Sequence, residues 1–123
     1  MITFLLLRAG LVENVKISVI IPVFNAARFV EESVLSALYQ PEVGEVLLLE
    51  DGSTDDSLAS CRELTERDER VRLFASGGGR NKGAGWARNV GIRHSQEEWI
   101  SFLDADDFFL PDRFRRTREV IRS

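Results

Sequence analysis

Residues 16–25 read KISVIIPVFN, and the fold follows from that run. Ile17 to Val23 is apolar and β-branched, and it closes at Pro22 and Asn25 without the alternation of a strand that faces water on one side. Such a run suits a strand buried on both faces, the setting of a parallel sheet covered by helices. Working outward, Asn25 is placed to cap a helix in which Val30, Val34, Ala37 and Leu38 make one apolar stripe, and Pro41 stops it. Glu45 to Glu50 is a second buried strand ending in Asp51-Gly52-Ser53-Thr54. Asp55 then caps a helix with Leu58, Cys61 and Leu64 on one side, which reads Cys61 as a core filler. Val71 to Ala75 is a third strand and Ser76 to Gly79 a flexible loop. A helix spans Gly83 to His94, a fourth strand Trp99 to Leu103, and Pro111 opens an Arg-rich helix that runs to the final residue.

Strands alternating with helices specify an α/β fold: a mostly parallel sheet with helices on both faces, joined by right-handed crossovers. In such sheets ligands gather at the carboxyl ends of the strands. The polar residues at those ends are Pro22 to Asn25, Glu50 and Asp51, Asn81 to Arg88 near the third, and Asp104 to Asp107. One edge of the sheet therefore carries carboxylates beside a basic loop.

Composition bounds what that edge can serve. With 123 residues, 44% hydrophobic and 29% charged, the chain is one ordinary globular domain rather than a rod or a disordered tail. A net charge of −4 disfavours a broad basic surface, so nucleic acid is not an expected partner. One cysteine and one histidine, Cys61 and His94, rule out a disulfide framework and any Cys- or His-rich metal centre, and they suit a reducing, cytoplasmic setting. The run from Ile2 to Leu7 is far short of the roughly 20 residues that span a bilayer, so no membrane span is expected. It also lacks the preceding basic residues of a signal peptide.

Asp104 and Asp106 are two apart just past a strand, so an extended chain would turn both carboxylates the same way. Carboxylates without imidazole or thiolate suit a hard divalent cation, Mg²⁺ or Mn²⁺, that keeps positions open for phosphate oxygens. The alternative is that they cap the helix near Pro111 or solvate a turn. Asp51 can accept from an N–H or hydroxyl of a base or ribose, or serve the turn at Gly52. Lys82 and Arg88 bring positive charge suited to phosphate, or else form a solvated helix face. Two generic motifs fail: the glycines at 77, 78, 79, 83 and 85 never make G-x-G-x-x-G, and no G-x-x-x-x-G-K-[ST] occurs. A receiver domain would need an acidic pair after the first strand, where this chain has Pro22-Val23-Phe24-Asn25.

Three blocks in order, SVIIPVFNAARFVEESVLSALYQ, EVLLLEDGSTDDS and NKGAGWARNVGIRHSQEEWISFLDADD, resemble the nucleotide-sugar-binding half of family 2 inverting glycosyltransferases. The resemblance runs from about Lys16 to the end. It implies a GT-A fold, a Rossmann-like sandwich truncated here after the DADD motif, with residues 1–15 as an extension and 16–123 as the donor-binding portion. It further implies that Pro22, Val23 and Phe24 line the base pocket, that Asp51 bonds the base, and that Arg88 stands near the nucleotide, where the charge of Lys82 would join it. In the DADD block it implies Asp104 as ribose contact and Asp106 as metal ligand, with Asp107 close by. The implied partners are a nucleotide-sugar donor, most often a UDP-sugar, and a glycan or lipid-linked acceptor, with the protein cytoplasmic or peripheral at the membrane.

Inversion needs a base to deprotonate the acceptor hydroxyl. The family places it downstream of the DADD block, and neither Asp112, Glu119 nor His94 matches it, so the expectation is a donor-binding half without turnover of its own. A nucleotide-binding module is the alternative function. Exposed apolar surface around Phe108, Phe109, Leu110 and Phe114, with the Ile2 to Leu7 run as an edge strand, points to a homo-oligomer.

Overall fold

The computed structural model describes residues 15–77 and 81–122. The expected Ile2 to Leu7 strand, the extension up to Asn14 and the end of the Ser76 to Gly79 loop lie outside those residues. The elements are β1 (Ile17–Val23), α1 (Val30–Leu38), β2 (Val43–Glu50), α2 (Ser57–Arg67), β3 (Val71–Ala75), α3 (Ala84–His94), β4 (Trp99–Phe102) and α4 (Arg115–Arg122).

The strands form one four-stranded sheet in the order β3-β2-β1-β4, and every pairing is parallel. The first crossovers step outward from β1 through β2 to β3, and the last returns to the other side of β1. Strand order thus reverses at β1, leaving a crevice between the carboxyl ends of β1 and β4, where open α/β sheets bind ligands.

Residues alternate in direction along β1 and β2, and each direction meets a different helical layer. Val19, Ile21 and Val23 with Val46 and Leu48 pack against Val30, Val34 and Ala37 of α1 and Cys61 and Leu64 of α2. Ile20, Leu47 and Leu49 face Ala87, Trp86 and Val90 of α3. Both strands are buried on both faces, as their unbroken apolar runs require. α3 comes close because Gly91 lacks a side chain: a Cβ there would stand 2.6 Å from Ile20 Cγ2. The Cys61 thiol sits wholly inside this core, and burial, with Glu50 and Asp55 nearby, pushes its pKa up to about 12. A thiol so rarely ionised is packing, not a nucleophile.

Four local expectations are corrected. Asn25 does not cap α1, whose N-cap position is Phe29 without a side-chain cap. Asn25 adopts φ 50° and its Oδ1 accepts from the Thr54 amide at 2.8 Å, so its side chain joins the β1 and β2 loops instead. The last helix begins at Arg115 rather than Pro111. Asp112 has φ 60°, which helices exclude, and Pro111 to Phe114 form turns. Phe109 and Phe114 are buried in the α1-side core, edge to face with ring centroids 5.1 Å apart; Phe108 and Leu110 are exposed as expected. The fourth correction concerns Asp104 to Asp107, which turn rather than extend.

Among the described residues β4 is an outer strand, and Trp99, Ile100 and Phe102 are exposed along it. At the amino end of the sheet, buried Glu45 gathers three donors. Its carboxylate accepts from Ser18 Oγ at 2.6 Å, the Gln96 amide at 2.6 Å and Arg72 at 2.8 Å. These bonds fix the loop entering β4. Burial opposes the Glu45 charge, but those donors outweigh it and hold the carboxyl below its ordinary range. A carboxylate with a lowered folded-state pKa stabilises the fold above its ordinary pKa, and that contribution vanishes as pH falls through the folded value. We therefore expect Glu45→Gln to cost about 1–3 kcal/mol at pH 7. The gap to wild type should narrow as pH falls below the ordinary carboxylate range and through the lower folded-state value, in urea unfolding followed across pH. A gap independent of pH would contradict the assignment.

Candidate functional site

The carboxyl ends of the strands enclose a cleft of about 380 Å³, within the range of small-molecule sites. Pro22, Val23, Phe24, Asn25 and Ala26 supply one wall from the end of β1, and Phe29 adds to it from the approach to α1. Asp51 lies at the end of β2, Asn81, Gly83, Ala84 and Ala87 come from α3 and its lead-in, and Asp104, Ala105 and Asp106 follow β4. The cleft therefore occupies the reversal point of the strand order. Phe24 and Phe29 are 45% and 43% exposed, and large aromatic faces left open at a concave site suit stacking on a flat ring.

The two acids that end β2 do different jobs. Glu50 turns back on its own loop, its carboxylate accepting from the amides of Gly52 at 3.2 Å and Ser53 at 2.8 Å. Asp51 reaches across the cleft floor and accepts from the amides of Lys82 at 2.7 Å and Gly83 at 2.8 Å. Gly83 can present its amide this way because its φ is 94°, a backbone state that side chains disfavour. Asp51 is only 5% exposed, so these two charge-assisted bonds latch the start of α3 to the sheet.

Asp104 to Asp107 make a β-turn closed by the Asp107 amide on the Asp104 carbonyl at 3.0 Å. Asp104 and Asp106 nevertheless both line the cleft, and both side chains are exposed to it. Asp107 instead takes the Phe108 amide at 2.8 Å. Among the described residues no cluster of three or more metal-ligating side chains occurs. Two aspartates on one turn are an all-oxygen, incomplete donor set, which suits a hard cation that completes its shell with phosphate and water.

Of the residues singled out from sequence, the structure brings Pro22, Val23, Phe24, Asp51, Asp104 and Asp106 around one cleft. Lys82 contributes its backbone, while the exposed side chains of Lys82 and Arg88, and Asp107, are outside the lining. His94 is at the far end of α3, stacked on Phe74 with centroids 4.6 Å apart. Asp112 and Glu119 belong to a separate depression with Arg115 and Arg116. Sequence reasoning missed Phe29 and the residues beneath the aspartate turn. Phe29 was legible in principle as an aromatic just outside the apolar stripe of α1.

The family model described as "Glycosyl transferase family 2" matches residues 18–123. An uncharacterized glycosyltransferase of Haemophilus influenzae is 39% identical over 101 residues, covering 81% of this chain and 40% of that protein. Among solved structures, S. aureus TarS 1-349 in complex with UDP aligns with a TM-score of 0.73 at 27% identity, covering 86% of this chain and 32% of that one. A mannosyltransferase, PcManGT from Pyrobaculum calidifontis in complex with GDP-Man and Mn²⁺, aligns with a TM-score of 0.68 at 26% identity, covering 85% and 31%. The chain thus spans two fifths or less of each of these proteins. On the matched residues and the shared sheet, this chain belongs to glycosyl transferase family 2 and has the α/β architecture of its GT-A members.

Proposed function

We propose that this chain binds a nucleoside diphosphate sugar, with a UDP-sugar as first candidate, and serves as the donor-binding portion of a metal-assisted, inverting glycosyltransferase. One observation carries the reading: Pro22 to Phe24, Asp51, Asp104 and Asp106 surround a single cleft at the strand-order reversal. The likeness to structures holding UDP, or GDP-Man with Mn²⁺, supports it.

In this reading Phe24 and Phe29 flank the base and Asp51 accepts from its edge while keeping its latch on Lys82 and Gly83. Asp104 takes the ribose, and Asp106, with Asp104 and Asp107 near, holds Mn²⁺ or Mg²⁺. Bound there, the cation supplies Lewis-acid stabilisation to the charge of the departing diphosphate. Lys82 and Arg88 add positive charge on the approach from α3. Displacement with inversion further requires a base for the acceptor hydroxyl, a glycan or lipid-linked alcohol. The proposal assigns that base to none of the described residues.

No helix among the described residues is long and apolar enough to cross a membrane. The proposed location is cytoplasmic, with contact at a membrane surface where the acceptor is lipid-linked. The proposal includes a homo-oligomer joined at the outer edge of β4, where Ile100 is 39% exposed. Sedimentation should then show a species larger than a monomer that Ile100→Lys dissociates; a monomeric wild type removes this part.

Asp106→Ala should abolish the gain in UDP affinity that Mn²⁺ confers while leaving the melting temperature unchanged, as read by calorimetric titration with and without the metal. Equal Mn²⁺ enhancement in variant and wild type would sink the assignment. Asp51→Ala should weaken UDP binding by about 1–3 kcal/mol, the scale of a hydrogen bond to a charged group. An unchanged dissociation constant in the folded variant would confine Asp51 to its latch on α3.

A further inference from the structure

Ten residues from Asp104 to Arg113 contain no helix or strand, yet they carry both aspartates of the cleft. Backbone without regular structure must find its partners elsewhere. Here it finds them on one stripe of α1. Ser33 is fully buried, and its hydroxyl proton is shared between the carbonyls of Asp107 at 2.7 Å and Asp104 at 3.0 Å. One turn on, Ser36 Oγ accepts the Phe109 amide at 3.0 Å. Just past the helix end, Gln40 donates to the Leu110 carbonyl at 2.9 Å and accepts from the Arg113 amide at 3.0 Å.

Ser33 therefore grips the first and last carbonyls of the aspartate turn, the same two residues that the turn's own hydrogen bond joins. The carbonyls of Asp104 and Asp107 are committed to α1, and Asp104 and Asp106 line the cleft. We propose that Ser33 is a positioning residue for these carboxylates, fixing the turn in the conformation that receives the cation; this rests on the donor-binding reading above. Ser36 and Gln40 continue the clamp along the segment. The same helix brings Phe29 to the cleft one turn before Ser33, so α1 ties the aromatic wall to the carboxylate wall.

The test compares Ser33→Ala with Ser18→Ala, a second fully buried serine whose partners, Glu45 and the Glu97 amide, lie at the other end of the sheet. Hydrogen exchange and calorimetric titration of UDP with and without Mn²⁺ are read on each. Ser33→Ala should raise exchange of the Asp107 and Phe109 amides about tenfold, and cut the Mn²⁺-dependent gain in UDP affinity by about the same factor. UDP affinity without metal should fall by a smaller factor, through the ribose contact assigned to Asp104. Ser18→Ala should lower the melting temperature and leave both the turn and the Mn²⁺ response as in wild type. Unchanged exchange at Asp107 in Ser33→Ala, or an equal rise in Ser18→Ala, overturns the proposal. Should Ser33→Ala not fold, Ser33→Cys, with a weaker donor of similar shape, must give the same changes to a smaller degree. A wild type without any Mn²⁺ enhancement refutes the donor reading and with it the purpose of the turn, while exchange alone still decides whether Ser33 sets its conformation.

Discussion

Everything in this molecule hangs on β1 being paired along both edges and covered on both faces. Parallel neighbours cannot be joined by tight hairpins, so each strand must be followed by a crossover long enough to hold a helix. The crossovers after β1 and β2 use one face, and the crossover through α3 uses the other, because only then are Ile20 and Ile21 both removed from water. That division places β4 on the opposite side of β1 from β2. The cleft is the gap left where the chain leaves β1 in one direction and β4 in the other. Its location is a consequence of burying one apolar strand, before any residue chemistry is considered.

The acids around the cleft divide their work by how many backbone amides reach them. Glu50 and Asp51 are buried and each receives two amides, which ties down their loops, and Asp51 also lines the cleft. Asp104 and Asp106 line the same cleft with their side chains exposed. Two exposed like charges on one short turn repel, and a cation relieves that repulsion. The cleft thus combines a hydrogen-bonded floor with an acidic rim.

Much of the architecture was readable because burial leaves a direct trace: unbroken runs such as Val46 to Leu49 have few uses other than a covered parallel strand. The acidic strand ends were readable too, since ligands collect there in this class of sheet. What escaped was whatever depends on hydrogen bonds between distant segments. Asn25 has the composition of a helix cap, and only the proximity of Thr54 shows that it bridges loops. Pro111 has the look of a helix start, but Gln40, 73 residues from Arg113, holds the chain there in a turn. Phe109 and Phe114 looked like an exposed patch because nothing local marks them as covering the end of α1. Ser33 gave the weakest trace of all, one small polar residue beside an apolar stripe, and its partners lie more than 70 positions away.

In the proposed site the metal and the nucleotide are coupled by construction. A single turn offers carboxylates on one side of the cation only, so most of the coordination shell must come from diphosphate oxygens and water. Metal alone is then held weakly, and diphosphate alone meets an acidic rim that repels it. Each ligand removes the other's penalty. By linkage, the factor by which metal tightens nucleotide equals the factor by which nucleotide tightens metal. The size of that factor depends on how little the turn has to rearrange when the pair arrives, because any reordering of the aspartates subtracts from the coupling. A turn already tied by backbone carbonyls to the buried stripe of α1 needs no reordering, and the carboxylates of Asp104 and Asp106 stay free to take up the charge of the complex. Rigidity in the main chain, at the carbonyls of Asp104 and Asp107, and freedom in the side chains, at Asp104 and Asp106, are thus met within one turn.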